Sequence, residues 1–445
     1  MRSIMGCLVL ASSLLGASAG SFSVARFTKA FDAYMSTATM EGFPEDKLPA
    51  TSAVAELAAM IDSAAAEYND FNAIMPVVAV LRHGPGGKGH WEKGGYDAEV
   101  ANAQARFQPH SVPLIIAEAN LIEKMAYTPY CTSHFMQTSV LEERCVTSQI
   151  AYAMMILKKA GQWELSEAMY DRGMAWSNAL DFTGCKGLGC QGIGWTSFVA
   201  QPVNLVPGLR SKPWWPREEV PLTKLLEDNI DGLRKDARKL MTRRRGKGWD
   251  DTYAGLVSDG NWQKLSLYNF KQWDKNLCNT CKFTCNLLKD WVRPDLPQLA
   301  PNQDEIVFFM TQPGSTVALH NGGTNARLNV HIGLFNLEGS YIEVAGERRG
   351  WSTNESFVFD DGHDHKIVTP TADLGGPSKG PRVVFAFGMT HPDIAADPIQ
   401  AFSTVGLPAA ETKDLPTLMK RIDHKWMRGK PKSTNVGARG SKQDL

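Results

Sequence analysis

Several things are missing from this chain of 445 residues. It has no net charge: Lys plus Arg and Asp plus Glu stand at 47 each. No global field therefore draws it to nucleic acid or to an anionic membrane, and a partner has to be recognised locally. Beyond its first twenty residues no apolar run reaches the roughly eighteen residues needed to cross a bilayer, so no membrane span is expected in the mature chain. It has no phosphate loop. RHGPGGKGHWEKGG is glycine-rich around Lys88, but Arg82 stands where the first glycine belongs, and Gly89 where a Ser or Thr would meet magnesium. His83 and His90 in that stretch have no carboxylate or cysteine at ligand spacing and read as loop residues. Cysteines are few, eight in all.

What is present is ordinary globular composition, 43% hydrophobic and 21% charged, which excludes wholesale disorder. One core usually stops growing near about 250 to 300 residues, so two folded units are expected. Residues 1–19 combine Arg2, an apolar stretch and an Ala17-Ser18-Ala19 end, the pattern of a cleaved secretory signal. The last residues, Lys442-Gln443-Asp444-Leu445, loosely match a receptor-read retrieval address of the endoplasmic reticulum. The expected location is that lumen, with plain secretion as the alternative. Removing Cys7 with the signal leaves seven cysteines, an odd number, and in an oxidising lumen most should form disulfides. The tight group CNTCKFTC has three readings: a disulfide, a zinc site short of its fourth ligand, or a redox Cys-x-x-Cys. Asn354-Glu355-Ser356 is a glycosylation sequon.

Residues 20–202 carry helical periodicity. Phe27, Phe31 and Tyr34 recur at three to four residues, as do Leu57, Ile61 and Tyr68 after a Thr51-Ser52 cap signal. Ile150, Met154 and Leu157 mark one helix ended by Gly161, and Ala168, Tyr170 and Trp176 mark the next. One such hairpin cannot stack as a repeat array, which needs about three units. This half therefore reads as an irregular helical domain that supports the second half. PGLRSKPWWP punctuates the entry to a second domain, 203–397, which begins with a charged helix over about 222–241. The run Arg243-Arg244-Arg245 lacks interleaved aromatics and reads as a solvated helix end. From Ile306 the period changes to two. Ile306–Thr311, Arg327–Phe335, Tyr341–Val344, Phe357–Asp360 and Val383–Phe387 read as short strands bounded by Gly, Pro and Asn. The expected class is α+β, a helical N-terminal domain followed by a double-stranded β-helix, or jelly roll, with its core over 303–394 and a tail over 398–445.

In that core His320 closes one strand and His365 lies on another, positions that converge at the mouth of a jelly roll. Two histidines and a carboxylate commonly hold ferrous iron in oxygenases. The carboxylate would stand two residues after the first histidine, where this chain has Gly322. On spacing alone the pair reads either as metal ligands or as polar residues on a jelly-roll surface.

PGLRSKPWWPREE, WQKLSLYNF, LCNTCKFTCNLL, QPGSTVALHNGGTNARLNVHIGL, FDDGHDHKI and a closing HPD succeed one another in the order of a known family. Over about residues 203–394 the chain resembles the aspartyl/asparaginyl β-hydroxylases, luminal oxygenases that hydroxylate Asp or Asn in epidermal-growth-factor-like domains. The resemblance implies an enzyme dependent on Fe(II), 2-oxoglutarate and dioxygen, acting on a protein substrate. It accounts for Gly322, because the family carries glycine there and holds iron through two histidines, which correspond to His320 and His365. His363 falls outside that spacing. Arg382 corresponds to the arginine that forks onto the far carboxylate of 2-oxoglutarate, His331 to a histidine near its metal-bound end, and Arg327 to an arginine on the substrate side. Cys278 and Cys285 have the spacing of a family disulfide, leaving Cys281 over; pairing Cys131 with Cys145 and Cys185 with Cys190 rests on proximity alone. Three departures stand out. Asn329 replaces a second co-substrate arginine and Phe309 a serine, and PTADLGGPSKG lengthens the interval before Arg382 as a lid or a loop. These departures leave open a barrel that recognises without turnover, or a hydroxylase of another residue or of a small molecule.

Overall fold

The computed structural model describes residues 22–35, 50–83, 109–132, 145–183, 192–202, 205–206, 208–242, 249–251, 256–294, 304–322 and 324–396. The leader, the glycine-rich loop, the triple-arginine run, Cys185, Cys190 and the C-terminal tail lie outside them. Among the described residues no helix is long and apolar enough to cross a membrane.

The first half is helical: α1 (Val24–Met35), α2 (Thr51–Glu67), α3 (Phe71–His83), α4 (Val112–Ala126), α5 (Cys145–Lys159) and α6 (Trp163–Asn178). Phe27, Phe31 and Tyr34 are the buried residues of α1, as the spacing predicts. Leu57 and Ile61 are buried on α2, but Tyr68 is its C-cap, and Ala50 rather than Thr51 or Ser52 is its N-cap. Ile150, Met154 and Leu157 enter the same core from α5. Gly161 ends that helix in the left-handed region, φ 73°, where glycine has no Cβ penalty, and lets Gln162 N–H bond back to the Leu157 carbonyl at 2.8 Å. The helix marked by Ala168, Tyr170 and Trp176 is α6; Tyr170 and Trp176 pack partly buried against the core, and the fully buried residues are Ser166, Met169, Gly173 and Ser177. A side chain at Gly173 would start 3.4 Å from an Ile150 methyl, so small residues let the two helices close.

The second half begins with β1 (Trp214–Trp215), α7 (Leu222–Asp228) and α8 (Ile230–Thr242); the single charged helix expected there is broken at Asn229, the C-cap of α7. Next come β2 (Asp250–Asp251), β3 (Val257–Asp259), β4 (Trp262–Asn269), β5 (Gln272–Trp273), α9 (Lys275–Thr280) and α10 (Lys282–Leu288). Cys278 and Cys285 form a disulfide across the last two helices, and Cys281 stands outside it, buried. Cys131 is also disulfide-bonded.

The strands β6 (Glu305–Thr311), β7 (Ser315–His320), β8 (Arg327–Phe335), β9 (Tyr341–Val344), β10 (Glu347–Gly350), β11 (Ser356–Phe359), β12 (His365–Thr369) and β13 (Arg382–Thr390) precede a short α11 (Pro392–Ala396). They divide between two antiparallel sheets, one ordered β1-β11-β8-β13-β6-β4-β2 with β5 beside β4, the other β10-β9-β12-β7-β3. From β6 on, successive strands cross from sheet to sheet except at the β9-β10 hairpin, so β11-β8-β13-β6 faces β10-β9-β12-β7. This is the strand order of a jelly roll.

The first sheet is covered on both faces. Leu328, Val330, Ile332 and Leu334 of β8 and Val383, Phe385 and Phe387 of β13 pack with Leu222, Leu226, Leu233 and Ala237 of α7 and α8. Side chains alternate along a strand, so Arg327, Asn329, His331 and Arg382 are turned to the inner face, toward the second sheet. There Phe357, Phe359 and Val384 meet Val317, Ile342, Val344 and Ile367. The PTADLGGPSKG stretch is a docked loop: it holds one turn of 3-10 helix, Ala372–Leu374, and the Gly375 carbonyl sits so close to Gly339 that a Cβ there would approach it to 2.3 Å.

Candidate active site

His320 ends β7 and His365 begins β12, and the two are partners in the antiparallel ladder. Their rings lie 4.2 Å apart, centroid to centroid. Each Nδ1 faces a backbone carbonyl, His320 that of Ala318 at 2.7 Å and His365 that of His363 at 2.8 Å. A carbonyl only accepts, so each Nδ1 carries the proton and each Nε2 keeps its lone pair. Burial holds both rings below the ordinary histidine range, His320 well below it with help from the His365 charge; for His365 the charge of Asp361 works in the opposite direction. Two neutral imidazoles thus stand side by side in the same tautomer, the donor form a divalent metal takes. Among the described residues no group of three or more His, Cys, Asp or Glu is arranged for a metal; the constellation is a pair.

Gly322, two residues on, faces Asp361. Its N–H donates to the Asp361 carbonyl at 2.5 Å, and the Asp361 carboxylate fills the space a side chain would take. The same carboxylate oxygen, Oδ2, accepts from Arg327 Nε at 2.9 Å, from Arg327 Nη2 and from Asn329 Nδ2 at 3.0 Å. Asn329, read as a co-substrate contact, has its amide engaged with Asp361. Asp361 Oδ1 is buried without a hydrogen-bond partner among the described residues.

The ladder between β8 and β13 sets the length of the site. Thr390 opposes Arg327 at one end and Val383 opposes Phe335 at the other, so Arg327 and Arg382 lie at opposite ends of the barrel interior. Arg382 is only 1% exposed. Its Nη2 donates to Thr311 Oγ1 at 2.8 Å, and its guanidinium stacks 4.2 Å over the Trp351 ring. Nε and Nη1 have no partner among the described residues. Burial pushes this guanidinium down to about 9. A buried cation with two idle donors is costly unless something anionic meets it. Thr369 Oγ1, at the same end of β12, and Trp351 Nε1 are further buried polar atoms without partners among the described residues.

His331 lies between the two ends, 5.1 Å from the Phe359 ring and 6.2 Å from that of Trp351. Its Nδ1 is likewise without a partner among the described residues. Burial first, then the charges of Arg382 and His365, push it down to about 3, so it is neutral. Phe309 packs at 5.2 Å from Trp262 and 6.3 Å from His331, a contact of rings at the position where a serine would offer a hydroxyl. His363 is buried, and its part in the site is the carbonyl that fixes His365; its own Nδ1 lies 3.5 Å from Asp360.

The structure brings to one interior the six residues named from the two-histidine spacing and the family resemblance, His320, His365, Arg327, Asn329, His331 and Arg382. Neither gives a role to Asp361, Trp351 or Thr369, whose neighbours in the site come from distant segments. Asp361 had a readable signal, a second consecutive acid separated only by Gly362 from the His-Asp-His run; Trp351 and Thr369 had none.

Residues 227–392 match the model of the family described as aspartyl/asparaginyl beta-hydroxylase, which bears out the resemblance read in the sequence over that span. The aspartyl/asparaginyl beta-hydroxylase of Mus musculus is 28% identical over 193 residues, 42% of this chain and 24% of that protein. Aspartate beta-hydroxylase domain-containing protein 2 of Rattus norvegicus is 34% identical over 213 residues, 46% of this chain and 59% of that one. The chain thus spans about a quarter of the first relative's length and somewhat more than half of the second's. A prolyl-4-hydroxylase structure from Pseudomonas putida overlaps 38% of this chain and 97% of its own, at 10% identity and a TM-score of 0.24; the fold assignment rests on the strand order alone.

Proposed function

We propose that this chain, whose residues 227–392 belong to the aspartyl/asparaginyl β-hydroxylase family, hydroxylates the β-carbon of Asp or Asn side chains in a protein substrate, using Fe(II), 2-oxoglutarate and dioxygen. One observation carries the reading. Two neutral imidazoles present adjacent Nε2 lone pairs near one end of the barrel interior, and a buried guanidinium with two idle donors, Nε and Nη1, stands at the other. The donor set suits a divalent metal held by His320 and His365, and the orphaned donors of Arg382 suit a carboxylate.

When bound, the iron and 2-oxoglutarate supply the oxidising power for C–H hydroxylation. The chain's own residues bind, orient and exclude water. Arg382 would fork onto the far carboxylate, with Thr369 and Trp351 Nε1 offering further donors beside it. His331, neutral and midway, would donate to the carboxylate nearer the metal. Arg327, held by Asp361 near the His320 end, would receive the acidic or amide side chain of the substrate. The aromatic wall of Phe309, Trp351, Phe357 and Phe359 keeps this interior dry, which strengthens every charge contact in it. With Asn329 committed to Asp361 and Phe309 apolar, the anion grip rests on one arginine, so a comparatively high KM for 2-oxoglutarate is expected. A secretory address for enzyme and substrate is supported by the pattern of residues 1–19 and by the Lys442–Leu445 ending.

The test uses the purified chain with iron, ascorbate, 2-oxoglutarate and an Asp-containing disulfide peptide, measuring succinate and a peptide mass gain of one oxygen. His320→Ala should lose bound metal and succinate formation with its circular dichroism unchanged. Unaltered metal content in that variant would overturn the assignment. Metal binding without succinate would favour a recognition module, and oxygen on another residue a different hydroxylase.

A further inference from the structure

The helical half touches the histidine-bearing loops at one buried charge. Lys158, in the last turn of α5, is 4% exposed. Its ammonium donates to Asp364 Oδ2 at 2.5 Å, to the Phe198 carbonyl at 2.7 Å and to Gln201 Oε1 at 2.8 Å, and it lies 4.2 Å over the Phe198 ring. Asp364 directly precedes His365, and its other oxygen accepts from Asn321 Nδ2 at 3.3 Å. Asn321 directly succeeds His320. One carboxylate therefore ties together the segments bearing both histidines, and one lysine from the helical half holds that carboxylate. The backbone reinforces the tie: Asp364 N–H donates to the Val199 carbonyl at 2.7 Å, and Ala200 forms a bridge to His363. His363 supplies the carbonyl that sets the His365 tautomer.

We infer that Lys158 is a positioning residue for the His320–His365 pair, so that the helical half is part of what makes the pair competent to bind metal. The inference rests on the proposed metal-binding role of that pair. The physical reason is geometric. Two ligands without a third protein donor can hold an ion only if their spacing and tautomers are fixed by what surrounds them, and residues that orient ligands typically contribute about 10- to 100-fold in metal affinity. Loss of Lys158 removes the anchor of this tie: alone it leaves a buried carboxylate uncompensated, and with Asp364→Asn it leaves no charge to hold the two histidine segments against α5, so in either case the 360–365 turn is free to shift and carries His365 with it.

The experiment titrates the full chain with Co(II) alone and tracks the visible absorption that reports cobalt coordination. Wild type, Lys158→Met, and the charge-free double variant K158M/D364N are compared, with thermal melts of each. The double variant leaves no unpaired charge and is expected to fold even if the single one does not. Both variants should bind Co(II) about tenfold or more weakly, with an altered spectrum, while retaining a cooperative melt. A folded variant with wild-type affinity and spectrum, whatever its melting temperature, would reduce Lys158 to a structural contact and overturn the inference, leaving the histidine assignment intact. Absence of any Co(II) binding by the wild type would instead sink the histidine assignment, and this inference with it.

Discussion

A Cβ added to Gly322 would sit 2.5 Å from Oδ2 of Asp361. The place where a metal-binding carboxylate would project just beyond β7 is already taken by a carboxylate from the turn before β12. That oxygen is also the one holding Arg327 and Asn329.

Gly322→Asp should therefore damage the site rather than complete a three-ligand set. Asp361 cannot yield without dropping Arg327 and Asn329, so a loss of about 1–3 kcal/mol in stability is expected from overpacking, with a larger fall in turnover. Denaturant melts alongside succinate formation check this; a variant as stable and active as wild type would show that Asp361 moves freely.

Arg382→Met should separate stability from co-substrate binding. The wild-type guanidinium is buried with two idle donors, so an apolar replacement of similar length should leave the melting temperature of the ligand-free protein unchanged or higher. The wild type should gain thermal stability on adding 2-oxoglutarate, by mass action, and the variant should gain none. Melts with and without 2-oxoglutarate decide it.

Stability should fall as the medium is acidified. His320, His331, His365 and His391 all have folded-state values held below the ordinary 6.5, His331 at about 3. Above 6.5 their contribution is fully present. Below it the unfolded chain takes up protons that the folded one refuses, and stability is lost progressively toward the folded values, by at most about 1.4 kcal/mol per pH unit for each histidine. Denaturant midpoints should be steady near pH 7.5 and decline from about pH 6.5 to pH 5; a flat profile would contradict the burial of these rings.

Removing the Cys278–Cys285 bridge should cost about 2 kcal/mol on the loop-entropy view, its separation being 7 residues. Unfolding of Cys278→Ser/Cys285→Ser against wild type tests this. The loss should be smaller than for bridges closing longer loops, and α10 is also held by Asp236, whose carboxylate accepts from Thr284 N–H and Oγ1 at 3.0 Å.

Much of the barrel was readable in advance because its signal is local. Alternation along β8 and β13 comes from a sheet whose one face lies under helices and whose other face lines the interior, so Arg327, His331 and Arg382 had to share a side. The start and end of Arg327–Phe335 and Tyr341–Val344 came out as expected. The strand Trp262–Asn269 went unread, its burial being nearly continuous rather than alternating. On α6 the helix came out as expected, with Tyr170 and Trp176 packed partly buried against the core, but among its fully buried positions are Ser166 and Gly173, where close helix contact selects for small size.

By itself the sequence determined the chemistry available: which strands carry imidazole and guanidinium, and that a glycine stands where a third ligand would. Those are properties of residue type and short-range period. Only the tertiary structure decided that Asp361 fills the Gly322 position, that Trp351 lies against Arg382, and that Lys158 reaches an Asp364 lying 206 residues away. Such pairs depend on how distant segments cross one another, and no local pattern of side chains encodes that crossing.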